Sequence, residues 1–146
     1  MGTPPQDPSL GVLLLLPYRH LEQRILETVV TAGYPITLSQ ARIFQRVAAG
    51  GSRLTDLAAA GQVTKQTAGF LVDQLVAGGY VERVQDPSDA RARLVRITAR
   101  GYDAIAVARV EQDRVEAEWR AHLGDGDLEA LRATLLRLRE ITDPWA

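Results

Sequence analysis

Apolar and polar residues alternate along most of this chain with the period of an α-helix. Apolar side chains recur every three or four positions in six stretches, and this spacing places them on one face of a helix. After Gly78-Gly79 the pattern changes to two short apolar runs on either side of a polar turn, as in a β-hairpin. The predicted fold is therefore mainly α with a small β-hairpin. Its helices are predicted to begin near Leu10, Thr37, Leu54, Thr64, Thr98 and Gly124.

Residues that cap helices mark several of these boundaries. Thr37 and Gln40 have the spacing of a capping box, in which each side chain accepts the backbone N–H of the other residue. Thr64 and Thr98 are predicted N-caps, because a threonine hydroxyl can accept a free N–H of the first turn. The second helix is expected to stop at residues 49–51, which read Ala-Gly-Gly.

The helix that follows Thr64 has two contrasting faces. Its apolar stripe consists of Ala68, Leu71, Val72 and Leu75, and its opposite face consists of Gln66, Gly69, Phe70 and Asp73. An aromatic ring is unusual on a solvent-facing surface. Glutamine can bond to adenine through two hydrogen bonds, and an apolar side chain can contact a thymine methyl group. The face suits base recognition, although an ordinary amphipathic helix with one stray aromatic residue would show the same pattern.

The hairpin is predicted from its turn chemistry and carries arginines. Strands are expected at 81–84 and 94–97, joined by the turn Asp86-Pro87-Ser88-Asp89. Arg91 then lies near the tip, and Arg93 follows two residues later, so strand alternation predicts that both point to the same side. A solvated hairpin with surface ion pairs is the alternative interpretation.

Two short motifs in this region resemble a known family. Asp89-x-Arg91, followed by a strand and Thr98-x-x-Gly101, is similar to the wing signature of MarR-type transcriptional regulators. The resemblance implies one MarR-like domain over residues 10–146, with a winged helix-turn-helix at about 37–98. It also implies long dimerisation helices at about 10–33 and 99–141, and hence a homodimer.

The resemblance further implies double-stranded DNA as the partner. The recognition helix, residues 64–77, would enter the major groove, and the wing, residues 85–93, the minor groove of a short inverted-repeat operator. The expected DNA contacts are Thr64, Lys65, Gln66, Thr67, Phe70, Arg91 and Arg93, with Asp89 orienting Arg91. The chain departs from the family at Gly69-Phe70, where Ser or Thr followed by Arg is common, and at Ala90, where a basic residue is common. The rival interpretation is a winged helix that binds protein and not DNA.

Composition narrows the other functional classes. The 146 residues are 46% hydrophobic and 24% charged, with a net charge of −1, as in a soluble globular protein. Residues 51–101 carry seven Lys or Arg against five Asp or Glu, which is mild support for DNA binding. The absence of cysteine excludes disulfides and cysteine-based peroxide sensing, and two histidines make a zinc site improbable. No catalytic motif is present, so we expect neither an enzyme nor a cofactor.

The N-terminal region could be mistaken for an export signal. Residues 1–9 are predicted to form a disordered polar arm, and an apolar run at 10–16 follows. The run lacks a basic flank and a small-residue cleavage site, and it is too short to span a bilayer. We therefore expect a buried helix from Leu10 to about Ala32, with Pro17 as a candidate kink, in a cytoplasmic protein.

The last two helices carry more apolar surface than a small winged domain needs. The stripe of the fifth helix includes Val115 and Trp119 at heptad spacing, and leucines line the sixth, which predicts a dimer seam.

MarR-type proteins commonly bind small aromatic or phenolic acids between the dimer helices and the winged lobe. The resemblance thus implies a repressor that such a ligand releases from DNA. Candidate ligand contacts, each also a plausible core residue, are Tyr18, His20, Phe44 and Trp119.

Overall fold

A computed structural model of the protein describes residues 7–144 and has the predicted fold class. Six helices and one two-stranded antiparallel hairpin follow one another along the chain. Residues 1–6 of the predicted N-terminal arm lie outside the described residues. The elements are α1 (Leu10–Thr31), α2 (Leu38–Phe44), α3 (Leu54–Ala60), α4 (Lys65–Ala77), β1 (Val81–Asp86), β2 (Asp89–Ile97), α5 (Ala99–Leu123) and α6 (Asp125–Thr142).

The predicted helix caps are confirmed. The capping box of α2 is complete, with bonds of 3.2 Å in both directions between Thr37 and Gln40. Thr64 accepts the N–H of Thr67 at 3.1 Å, and Thr98 accepts that of Gly101 at 3.1 Å. These bonds satisfy donors that a helix start leaves free, so each threonine fixes the residue at which its helix begins.

Two predicted boundaries are wrong. Helix α2 ends at Phe44 and not near residue 49, because the N–H groups of Arg46 and Val47 bond to carbonyls three residues back, which tightens the chain into turns. Val47 is nonetheless buried. The strands of the hairpin are longer than predicted, so that only Pro87 and Ser88 form the turn between them.

The hairpin contains an irregularity that the sequence pattern did not predict. Val81 pairs with Ile97, and the register continues regularly to the pair Gln85–Arg93. The next pair is Asp86–Asp89, so residues 90–92 are not paired in register with β1, although the Gln85 side chain donates to the Ala90 carbonyl at 3.1 Å. A bulge of this kind redirects side chains. Simple alternation therefore does not establish that Arg91 and Arg93 point to the same side.

The main hydrophobic core lies inside the winged lobe, which we define as residues 37–98. The largest fully buried side chains of this lobe are Ile43, Leu57, Val72, Leu75 and Val81. The core extends to α1 and α5 through Val29 and Ala104. Two ion pairs also join the lobe to its flanking helices: Arg42 binds Glu22 of α1 at 3.0 Å, and Arg46 binds Asp143, just after α6, at 2.7 Å.

The burial of apolar side chains in helices α1 and α5 differs from the prediction. The apolar run at 10–16 was predicted to be buried, but within one chain its large side chains are 41–71% exposed. Val115 of α5, which was assigned to a dimer seam, is fully buried inside the single chain. The prediction for Val115 is wrong because a heptad position can face a helix of the same chain as readily as a partner.

Within residues 7–144, no helix combines the length and the apolar character needed to cross a membrane.

Candidate nucleic-acid interface and ligand cleft

Helix α4 buries one face and exposes the other, as its sequence predicts. Ala68, Leu71, Val72 and Leu75 are buried. The opposite side exposes residues 64–67, and the Phe70 ring is 62% exposed. Thr64 is occupied in part by the helix cap, since its hydroxyl bonds to both the N–H and the hydroxyl of Thr67. Three side chains of this face are therefore free to contact another molecule, those of Lys65, Gln66 and Phe70.

The turn between α3 and α4 combines a tightly packed glycine with a left-handed residue. A Cβ atom at Gly61 would lie 2.6 Å from the Cδ1 atom of Ile43, so only glycine fits there without a shift. The left-handed position is the next one, where Gln62 has φ of 54°. Glycine is the residue that adopts this conformation at least cost, and the backbone adopts it here with a glutamine.

The Thr98-x-x-Gly101 motif fastens the hairpin to α5. The Thr98 hydroxyl donates a hydrogen bond to the carbonyl oxygen of Gly79 while it accepts the N–H of Gly101. A Cβ atom at Gly101 would clash with the carbonyl oxygen of Tyr80. The motif therefore requires glycine at its fourth position, because any residue with a Cβ atom would clash with this backbone.

The wing presents two arginines without partners. Arg91 and Arg93 are exposed, and among the described residues neither forms an ion pair. Asp89 accepts the backbone N–H of Arg91 at 3.0 Å and does not bind its guanidinium. The carboxylate thus shapes the backbone at Arg91, and the arginine side chain remains free to bind an anion such as a DNA phosphate.

Sequence reasoning missed one ion pair of the wing. Arg53 donates from Nε and Nη2 to the Oδ2 atom of Asp86, at 3.0 and 2.8 Å. Asp86 is only 7% exposed. Hydrogen bonds from Ser88, assisted by Arg53, lower the pKa of the Asp86 carboxyl to about 2. The turn motif at 86–89 signalled that Asp86 would bond locally, but nothing in the sequence linked it to a residue 33 positions earlier.

A cleft of about 350 Å³ lies between α1, α2 and α5, where the winged lobe meets its flanking helices. Of the four candidate ligand contacts, Tyr18 and Phe44 line it, and His20 and Trp119 do not. His20 does not line it for a geometric reason. The cleft face of α1 follows Tyr18 at positions 21, 22, 25, 26 and 29, and His20 lies on another face, toward Glu118 of α5. Trp119 does not line it because the lining of α5 ends at Gln112, two turns earlier.

The polar side of the cleft contains a connected set of charges. Arg42 binds both carboxylate oxygens of Glu22 at 3.0 Å, and the Tyr18 hydroxyl donates to Glu22 at 2.9 Å. The hydrogen bond from Arg42 lowers the pKa of Glu22, and burial raises that of Tyr18, so Glu22 is ionised and Tyr18 is neutral at pH 7. Arg109 also lines the cleft and forms no ion pair among the described residues. Two arginines against one glutamate leave the cleft with one excess positive charge.

Comparison with known proteins gives a family match over the winged lobe and a fold match over nearly the whole chain. The sequence profile of the MarR family matches residues 34–92. A search of curated protein sequences gave no match. Among solved structures, the crystal structure of MarR is 24% identical with a TM-score of 0.74, covering 91% of this chain and 96% of that one.

The chain has the winged helix-turn-helix fold of MarR, and the part of it that matches the MarR family profile is residues 34–92. Two further structures of this fold were solved with a small molecule bound. CouR from Rhodococcus jostii RHA1, bound to p-coumaroyl-CoA, is 23% identical with a TM-score of 0.72, covering 95% of this chain and 96% of that one. NadR in complex with 4-hydroxyphenylacetate is also 23% identical with a TM-score of 0.72, covering 97% and 99%. At this level of identity, the similarity establishes the fold that these MarR-type proteins share.

Proposed function

We propose that this protein is a DNA-binding transcriptional regulator of the MarR family that acts as a homodimer. The observation that carries the proposal is the exposed face of α4 together with the free arginines of the wing. Lys65, Gln66 and Phe70 supply a charge, a bidentate donor–acceptor and an apolar group on one helix, the three kinds of contact that read a major groove. Arg91 and Arg93 supply cations at a hairpin of the size that enters a minor groove. Such a regulator would work in the cytoplasm, where its operator is accessible.

The dimer is supported by the apolar surface of the outer helices. The large side chains at 10–16 are 40% or more exposed in the single chain, and so are four leucines of α6 and Ile141. The four leucines are Leu131, Leu135, Leu136 and Leu138. Apolar patches this large on a soluble protein mark interaction surfaces. A second copy of the same helices would cover them through a twofold axis. The two recognition helices would then meet successive major grooves, about 10–10.5 bp apart, which requires an inverted-repeat operator.

We further propose that a small aromatic or phenolic acid binds in the cleft and releases the operator, as expected of a repressor. The apolar lining, with Phe44 and Tyr18, suits a ring, and the unpaired Arg109 suits a carboxylate. The ligand has to bind better when the recognition helices have the wrong spacing for DNA, and reciprocity then requires operator DNA to weaken ligand binding equally. Because the chain has no cysteine, peroxide should leave DNA binding unchanged.

A gel-shift titration with the DNA upstream of the chain's own gene tests the DNA half of this proposal. The expected result is one retarded complex at two chains per site, with a footprint over two half-sites. The titration is then repeated with a panel of aromatic acids and with peroxide. Release by peroxide and by no acid would contradict the proposed sensing and leave the DNA binding intact. No DNA complex at low salt would instead favour a winged helix that binds protein, for which the exposed Phe70 ring would be the contact.

A further inference from the structure

The wing hairpin, formed by β1 and β2, is attached at two heights to the segment that leads into α3, and Arg83 of β1 also binds Asp73 of α4. Near its base, Ser52 and Val95 exchange backbone hydrogen bonds of 2.9 and 2.8 Å. Near its tip, Arg53 holds Asp86, the last residue of β1. Val95 is paired with Arg83, three residues before Asp86, so the two attachments are separated by about 10 Å along the strand. A hairpin attached only near its base could tilt relative to the helices, whereas a second attachment near its tip fixes the angle between the hairpin and α3.

The carboxylate at the upper attachment has no bonding capacity left over. Its Oδ2 atom accepts both Arg53 bonds, and its Oδ1 atom accepts the N–H and the hydroxyl of Ser88 at 2.8 and 2.7 Å. Arg53 approaches with two donors, which fixes direction as well as distance. The depressed pKa keeps this carboxylate ionised at neutral and mildly acidic pH. The ion pair is therefore a permanent, directional link between the helices and the tip.

Arg53 does not serve the helix that it precedes. It occupies the N-cap position of α3, where residues with short polar side chains are preferred, and its side chain forms no cap bond. The guanidinium instead reaches across to the wing. A residue that leaves its own helix uncapped in this way is better explained by the contact that it makes with Asp86.

The link leads directly to the arginine proposed to enter the minor groove. Asp86 is paired across the turn with Asp89, and Asp89 accepts the backbone N–H of Arg91. We propose that Arg53 and Asp86 are positioning residues, which form a strut from the start of α3 to the wing tip and set the angle at which Arg91 meets DNA. The strut rests on the proposed DNA-binding function and adds to it a specific cause for the orientation of the wing.

A second ion pair of the hairpin formed by β1 and β2 provides a matched control. Arg96 binds Glu82 within the hairpin, and both side chains are about half exposed. Arg96→Ala, like Arg53→Ala, removes one arginine charge and one ion pair of the hairpin, but it leaves the attachment of the hairpin to α3 intact. Asp86→Asn is the sharpest test variant, because the amide oxygen can still accept both Ser88 bonds while the amide nitrogen no longer accepts from Arg53.

The experiment measures operator affinity, minor-groove protection and the thermal midpoint for Arg53→Ala, Arg53→Lys, Asp86→Asn and Arg96→Ala. We expect roughly five- to tenfold weaker binding for Arg53→Ala and Asp86→Asn, partial rescue by lysine, and no more than about twofold loss for Arg96→Ala. Minor-groove protection under the wing should disappear while major-groove protection remains. Because the strut acts through Arg91, the double variant Arg53→Ala, Arg91→Ala should bind no more weakly than Arg91→Ala alone.

Each other outcome overturns the strut. Additive losses in the double variant, or full minor-groove protection in Asp86→Asn, would show that Arg53 acts only on stability or charge. Amide hydrogen exchange of residues 89–93 without DNA gives a separate reading, since Asp86→Asn should accelerate it more than Arg96→Ala does. Unchanged exchange and unchanged affinity overturn the strut alone. Failure of the native protein to bind any DNA overturns the proposed function, and the role of the strut in DNA binding with it.

Discussion

The winged lobe and the outer helices differ in where their apolar side chains are buried. In the lobe, large residues such as Leu57 and Val72 are covered by the same chain. In α1 and α6, leucines such as Leu14 and Leu135 remain 40% or more exposed. A region whose apolar side chains are buried within one chain can be stable as a monomer. A region with a leucine surface exposed to solvent depends on a partner that covers this surface. Helix α5 belongs to both, because its buried Val115 and its exposed Val110 lie on one helix.

Val115→Glu is the strongest test of this division. An unpaired carboxylate inside the single chain should lower the free energy of unfolding by roughly 3–5 kcal/mol, independently of protein concentration. Chemical denaturation at two concentrations measures the change. The control is Val110→Glu on the same helix, where the side chain is 57% exposed. Equal stability of the two variants would show that Val115 is not an internal residue.

Leu135→Glu in α6 should have the opposite signature. The side chain is 42% exposed in one chain, so the substitution should leave the fold of the monomer almost unchanged. If a second copy covers α6, the dimer should be weakened by about 2 kcal/mol or more, which sedimentation velocity would detect as a shift toward monomer. Glu140→Gln in the same helix is the control. A native protein that sediments as a monomer would refute the dimer altogether.

Arg91→Ala should weaken operator binding by roughly 1–3 kcal/mol and reduce the salt dependence by about one counterion. The control is Arg132→Ala, which removes the same charge from α6. Equilibrium binding at several salt concentrations measures both variants. If the two lose the same affinity, the effect is net charge and the wing has no special role.

Gln66→Ala should produce a smaller and more selective change. Preference at one base pair in each half-site should fall by about 1 kcal/mol, while nonspecific affinity stays nearly constant, because base contacts specify and phosphate contacts position. Competition between operator variants measures this preference. A uniform loss over all sequences would argue against base recognition by Gln66.

Acid should affect the winged lobe only well below neutral pH. The pKa of Asp86 is lowered to about 2, below the unfolded value of about 4, so its contribution to stability is complete above that value and is lost as the pH falls toward 2. The stability difference between the native protein and Asp86→Asn should therefore be constant from pH 8 to about 5 and then shrink. Urea denaturation across this range is the measurement. A difference that grows on acidification would contradict the assignment.

Local chemistry decided which features could be predicted from the sequence. The caps at Thr37, Thr64 and Thr98 were predictable because donor and acceptor lie within three residues. The buried face of α4 was predictable because helical period alone determines it. Both signals concern one element and its own backbone, and neither depends on what packs against it.

Features that depend on distant parts of the chain were not predictable in the same way. Helical period identifies an apolar face at Leu14 or Val115 without telling whether the same chain or a second one covers it. The Arg53–Asp86 pair joins residues whose proximity exists only after the hairpin has folded onto α3. His20 and Trp119 were chosen for their chemistry, but the cleft is defined by which helix faces converge, and theirs do not.

The left-handed Gln62 has a consequence for how this sequence can vary over evolutionary time. Glycine at that position would relieve a backbone cost of roughly 1–2 kcal/mol, but it would also give the unfolded chain more freedom, which offsets about half of the gain. The two residues are thus close to interchangeable in stability. Exchange between them is nearly neutral, so either residue can occupy this position without any other part of the turn having to compensate.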